Sequence, residues 1–166
     1  VGQHGTIPDT LDYETATFIG LATSATMWAR TTPIEPGDDV VVLGQGIVGN
    51  LYMQAVRERQ PGRVITVDAT ALRCQISQQC GAGTVINVAE TDSVQAVKDL
   101  TDGKGADVVI ECAAGFPDMG LAGNTTYMQA VEATRASGML MVISFSSGPV
   151  EMDYMVPRRK NLTMRW

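Results

Sequence analysis

The sequence predicts an α/β protein, a doubly wound parallel sheet of six strands in a single domain, and three observations carry that prediction. Short, mostly β-branched apolar runs recur along the 166 residues. Stretches with helical spacing separate them, and a glycine-rich segment joins the first run to the first such stretch. Runs of this kind suit strands buried on both faces, and intervals of roughly 10–15 residues suit the helical crossovers that parallel pairing requires.

The elements follow in order. Leu11 to Arg30 is poor in Gly and Pro and reads as one helix, interrupted at Gly20. Pro33, Pro36 and Gly37 break it and lead into the first strand, Val40-Val41-Val42-Leu43. Val64-Ile65-Thr66-Val67, Val85-Ile86-Asn87-Val88, Val108-Val109-Ile110 and Met139-Leu140-Met141-Val142-Ile143 repeat the phrase, and Asn161 to Trp166 supplies the sixth strand. Between them, Val48, Leu51, Tyr52 and Ala55 step by three and four, as do Leu72, Ile76 and Cys80. Val94, Val97 and Leu100 do the same, and Met128, Val131 and Thr134 form a weaker stripe. Asp92 with Gln95 resembles a capping box, and Gly138 sits where a glycine would end a helix.

Composition narrows the function. The length supports one sizeable core and is short for two. Twelve Lys+Arg against 18 Asp+Glu leave a net charge of −6, which argues against nucleic-acid or anionic-membrane partners. No apolar run approaches the ~20 residues that span a bilayer. Residues 1–10, without a basic or long apolar stretch, read as an N-terminal arm cut from a longer chain, and 11–166 as the domain. Cys74, Cys80 and Cys112 are too few and too scattered for a disulfide framework or a four-cysteine zinc lobe, so we expect reduced thiols and a cytoplasmic protein. Cys112 fits a small buried hydrophobe. A single histidine, His4, excludes a three-His zinc site within the chain.

Gly44-Gln45-Gly46-Ile47-Val48-Gly49 is the strongest local signal, because it follows the first strand and opens the first periodic helix. In that setting Gly44 permits the tight turn and Gly46 lets backbone approach a pyrophosphate. Gly49 lets helix and strand pack closely. The N–H groups of Ile47 and Val48 then face the anion at the positive end of the helix. Structural glycines in a plain strand–helix turn are the alternative. Asp68 ends the second strand, 19 residues beyond Gly49, close to the offset of a ribose-binding acid. A carboxylate there accepts from both adenosine ribose hydroxyls and repels a 2′-phosphate, which favours NAD over NADP. Arg73 is placed to cover the adenosine end or to sit solvated. A P-loop would need Gly-Lys-Ser/Thr, which Gly49-Asn50-Leu51 lacks. Neither Tyr127 nor Tyr154 is followed four residues later by Lys, which removes the short-chain reductase pattern. A methyltransferase remains a rival.

The segments Ile34 to Gly49, Cys80 to Asn87 and Gly103 to Cys112 together resemble the coenzyme domain of medium-chain alcohol dehydrogenases, a Rossmann domain, including the polyol and threonine branches. The resemblance implies that Gly44, Gly46, Ile47, Val48 and Gly49 surround the pyrophosphate. Asp68 and Ala69 hold the adenosine with Arg73 beside them, and Cys112 and Ala113 border the cofactor. Backbone at Ile143, Ser144 and Phe145 meets the nicotinamide carboxamide, and Thr23 packs on the nicotinamide face. The family's N-terminal barrel with its first zinc ligands is not in this sequence. A further family ligand position falls on Ile19, which cannot bind zinc, so no metal or catalytic residue is assigned.

The sequence therefore reads as the NAD-binding half of a dehydrogenase that moves hydride between nicotinamide and an alcohol, polyol or carbonyl. A stand-alone nucleotide-binding or interaction module is the alternative. Val150 to Val156 alternates apolar and polar residues and reads as a C-terminal edge strand through which the chain forms a homodimer, with Pro149, Pro157 and Arg158-Arg159-Lys160 as guards against that pairing.

Overall fold

The computed structural model describes residues 5–115, 123, 125–145 and 148–166. Two helices, α1 (Tyr13–Ala16) and α2 (Ile19–Thr31), precede β1 (Asp39–Leu43). There follow α3 (Ile47–Arg57), β2 (Arg63–Asp68), α4 (Ala71–Gln79), β3 (Thr84–Asn87), α5 (Ser93–Leu100) and β4 (Ala106–Glu111). The chain ends with α6 (Thr125–Ala133), β5 (Thr134–Val142), α7 (Met155–Lys160) and β6 (Thr163–Arg165). The strands form one 6-stranded sheet in the order β3-β2-β1-β4-β5-β6. Every pairing is parallel, as the buried apolar runs predict.

Strand periodicity builds two cores, one on each face. Val41 and Leu43 of β1 face a cluster with Ile65, Val109, Leu140, Tyr127 and Val131. Val40 and Val42 face the other, with Ala25 and Ala29 of α2 and Tyr52, Met53 and Val56 of α3. Each fully buried valine contributes about 1.5–3 kcal/mol through removal from water. The sheet order reverses direction between β1 and β4, so the carboxyl ends of those strands open a crevice.

Several local expectations need correction. The N-terminal helix breaks at Thr17–Phe18 rather than at Gly20, which lies inside α2. Asp12 caps α1 by accepting from Thr15 N–H, and the Thr17 hydroxyl donates to the Glu14 carbonyl. On α3 the fully buried stripe is Gly49, Tyr52, Met53 and Val56, one residue round from the predicted one. Leu51 and Ala55 flank it because α2 also packs here. The α4 stripe is mostly outward: Leu72 is 63% and Ile76 41% exposed. Its buried residue is Ser77, whose hydroxyl lies 2.9 Å from Thr66 Oγ1 and 3.1 Å from Gln45 Oε1. The inner face of α4 is polar because it covers the hydrogen-bonded side chain of Gln45.

Gly138 ends no helix. It lies in β5, where a Cβ would meet Thr134 Cγ2 at 2.7 Å and Asp107 O at 3.0 Å. Thr134 is likewise the first strand residue, and the Lys160 ammonium caps the end of α6 by donating to the Val131, Glu132 and Thr134 carbonyls. Asp92 caps α5 through Val94 and Gln95 N–H, but Gln95 donates to Asp99 instead of closing a box. The segment Val150–Val156 is not a strand: it is irregular as far as Asp153, which accepts from Met155 N–H as α7 begins. Pro157 fits the first turn of α7, where its missing N–H costs nothing. Val150, Met152 and Val156 pack partly against the core, and the edge strand is β6.

Candidate functional site

The glycine loop runs from β1 into α3 over the sheet's switch point. Gly44 has φ +87°, and a Cβ on it would lie 2.8 Å from both Ala113 Cα and the Cys112 carbonyl oxygen. Gly49 is tighter still, its Cβ position being occupied by the Gly44 carbonyl. Gly46 differs, with open space around its Cβ position. It is the N-cap of α3 and provides no side-chain cap, so the first-turn N–H groups and the positive end of the dipole face outward.

Asp68 ends β2 at 7% exposure. Its Oδ2 accepts from Gln45 N–H at 2.7 Å and its Oδ1 from Thr70 N–H at 2.8 Å, so the carboxylate joins the glycine loop to the start of α4. Each oxygen keeps a lone pair for a further donor. The Arg73 guanidinium stands 3.9 Å from Oδ2, half exposed. Gln45, which the sequence did not single out, fills the space behind the loop: its Nε2 donates to the Val42 and Gly44 carbonyls.

A cleft of about 360 Å³ brings together Gly44, Gly46, Asp68, Ala69, Arg73, Cys112 and Ala113 among the predicted residues. It also contains Thr70, Val88, Thr126 and Gln129, which were not predicted. Val88 follows from the rule that ligands sit beyond strand carboxyl ends, whereas no sequence signal marks Thr126 or Gln129 on α6. The Thr126 hydroxyl is buried without a hydrogen-bond partner. Ile47, 56% exposed, lines an adjoining apolar groove that shares Gly46 and Arg73 with the cleft. Val48 is half-buried in the first turn of α3, and Gly49 lies beneath it. Ile143 and Ser144 N–H both donate to the Glu111 carbonyl, while the Phe145 side chain is 83% exposed. Thr23 lies on the outer face of α2 in a separate groove with Ile19 and Met27, and the described structure does not bring it to the cleft. His4 lies outside the described residues.

The thiols at the site are held neutral. Cys112 is half-buried as a residue, but burial of its sulfur pushes the thiol well up, and Glu111 adds to the shift. Burial and then the Asp68 charge raise Cys74. Burial pushes the Tyr52 hydroxyl to about 12 despite its hydrogen bond with Thr32. These groups pack or donate, and none is a base at neutral pH. Among the described residues, no three His, Cys, Asp or Glu side chains come together as a metal-binding group, so the donor set does not fit a zinc ion. No helix among the described residues is long and apolar enough to cross a membrane.

An uncapped helix start, a glycine cradle and a strand-end carboxylate meet at the switch point of a doubly wound parallel sheet, the place where such folds take up their ligands. The chain belongs to the zinc-binding dehydrogenase family, whose model matches residues 48–165. It is 30% identical over 142 residues to a sorbitol dehydrogenase of Bacillus subtilis, covering 85% of this chain and 38% of that protein. An erythritol/L-threitol dehydrogenase of Mycolicibacterium smegmatis is 42% identical over 74 residues, or 45% of this chain and 20% of that protein. The fold matches the crystal structure of 2R,3R-butanediol dehydrogenase from Bacillus subtilis with TM-score 0.81 at 23% identity, over 96% of this chain and 43% of the other. The chain thus spans well under half the length of these relatives.

Proposed function

We propose that residues 11–166 form the NAD-binding domain of a medium-chain dehydrogenase that acts on an alcohol, polyol or carbonyl substrate. The observation that carries this reading is the shared cleft, with the uncapped start of α3 at Gly46 and the buried Asp68 carboxylate on the same wall. The N–H groups of Ile47 and Val48 suit a pyrophosphate, since they combine free donors with the helix dipole. Asp68 suits the adenosine ribose: its loop-facing lone pairs are occupied, which fixes the carboxylate while leaving acceptors for hydroxyls. Ala69 and Arg73 would flank the adenosine, Cys112 and Ala113 the middle of the dinucleotide, and backbone at Ile143, Ser144 and Phe145 the carboxamide. When bound, the nicotinamide supplies or accepts the hydride, while this domain positions it and keeps charge and water in order.

Preference for NAD follows from like-charge repulsion between Asp68 and a 2′-phosphate. Calorimetry on the wild type should show NAD binding at least about tenfold tighter than NADP, equivalent to ~1.4 kcal/mol. Asp68→Ala should narrow the gap, because Arg73 is then free to pair with the phosphate. Equal wild-type affinities would contradict the assignment.

A further inference from the structure

The cleft has a wall that the phosphate and ribose contacts leave unused. Thr126 and Gln129 stand three residues apart on α6, so their side chains share one face of the helix, and both line the cleft. Gln129 is half-buried. Thr126 is 7% exposed, and among the described residues its hydroxyl has no hydrogen-bond partner. Thr101 and Thr134, equally buried, satisfy theirs on the carbonyl four residues back. A buried hydroxyl left unpaired forfeits its bonds to water with nothing in return, so it calls for a partner that the chain alone does not supply. The two rotamers that threonine adopts in helices let the hydroxyl turn into the place of its methyl group, towards a ligand seated in the cleft.

Sheet order fixes which part of a nucleotide this wall meets. From the switch point outward the strands run β1, β2, β3, and beyond their carboxyl ends Gly46, Asp68 and Val88 line the cleft in that order. Val88 N–H donates to the Asp68 carbonyl at 3.1 Å, so Val88 adjoins Asp68 on the side away from the glycine loop. Val88 and Gln129 together line both the cleft and the groove next to it, which places α6 at this end. With a pyrophosphate at the start of α3 and a ribose on Asp68, the base on that ribose points to Val88 and α6. Val88 offers the base an apolar surface, while Thr126 and Gln129 offer oxygens that accept and groups that donate.

We propose that Thr126 and Gln129 are specificity-determining residues for the base, accepting from the exocyclic amino group of adenine, an inference that rests on the dinucleotide reading above. A carboxamide matches adenine, because its oxygen accepts from the amino group while its NH2 donates to the ring nitrogen beside it. The test compares NAD with etheno-NAD, whose two-carbon bridge removes the amino hydrogens and leaves both riboses, the pyrophosphate and the nicotinamide unchanged. The wild-type chain of 166 residues should bind NAD about tenfold tighter than etheno-NAD in calorimetry. Gln129→Ala should bring that ratio to within about threefold, chiefly by weakening NAD. Thr126→Val should lower the ratio too, and should leave Tm unchanged or raised, because it removes an unpaired buried hydroxyl at constant shape. A wild-type ratio near one, or a ratio that Gln129→Ala leaves unchanged, would overturn the proposal. A lowered Tm or an unchanged ratio in Thr126→Val would overturn the role given to Thr126. A wild-type chain that takes up neither ligand would instead overturn the dinucleotide reading, and this proposal with it.

Discussion

Gly46 and Gly49 lie one helical turn apart and carry opposite requirements. A methyl group at Gly49 would collide with the Gly44 carbonyl, so Gly49→Ala should cost about 2–3 kcal/mol as strand and helix separate. Gly46 has φ −65° and open space at its Cβ position, so Gly46→Ala should cost no more than about 1 kcal/mol, the loss expected of alanine at an N-cap. On the dinucleotide reading proposed above it should nonetheless weaken nucleotide binding, because the methyl group would stand at the uncapped start of α3. Thermal unfolding and calorimetry on the two variants check both halves of this prediction, and a Gly46→Ala variant with undiminished affinity would refute the second. At this scale the sequence was legible where the backbone itself demands a residue type or position, as for the tight turn at Gly44, the close packing at Gly49 and the strand end at Asp68. It was silent for Gln45, whose role comes from partners elsewhere in the chain. Gln45 acquires its role from Asp68 and Ser77, 23 and 32 residues away.

Strands were easier to read than helix faces. A strand buried on both sides needs only an apolar run, and β1, β2 and β4 each contain the predicted one. A helix face depends on what lies opposite, and α4 faces the polar side chain of Gln45, so Leu72 and Ile76 turn outward. The passage from α6 to β5 was misread for a related reason: Thr134 and Gly138 look like a helix end, but the Thr134 hydroxyl donates to the Ala130 carbonyl as the strand begins. The β4 strand carries a pH-dependent clamp. Asp107 accepts from Asp39 N–H on β1 and from Arg135 on β5. Burial raises its pKa, but those donors outweigh burial and hold it below the ordinary aspartate value of 3.8. Stability from Asp107 is thus complete above the ordinary carboxylate range and is lost as pH falls through the lower folded pKa. Asp107→Asn should be less stable than wild type near neutrality, and the difference should shrink in acid denaturation below about pH 4. A constant difference across that window would refute the clamp.

For the whole molecule, doubly wound order was legible because strand–helix alternation allows few topologies, whereas the C-terminal edge was not. Residues 150–156 alternate in sequence but pack against the core from an irregular stretch and the start of α7, which leaves β6 and the exposed Trp166 at the sheet's edge. We propose that two copies pair through β6, since an open edge invites a second strand and a two-fold axis satisfies both. Light scattering should give a mass that approaches twice 17.7 kDa as concentration rises, and a constant 17.7 kDa would contradict pairing. The central claim is that the cleft between the glycine loop and Asp68 binds a dinucleotide, and an amide-resolved NMR titration of this chain with NAD tests it most directly. Saturable shifts should concentrate at Gly46, Ile47, Val48, Asp68, Ala69, Cys112 and Ala113, with one NAD bound per chain. Shifts confined to the groove between α5 and α6 lined by Thr91, Ser93, Lys98 and Glu132, or no shifts at millimolar NAD, would contradict it.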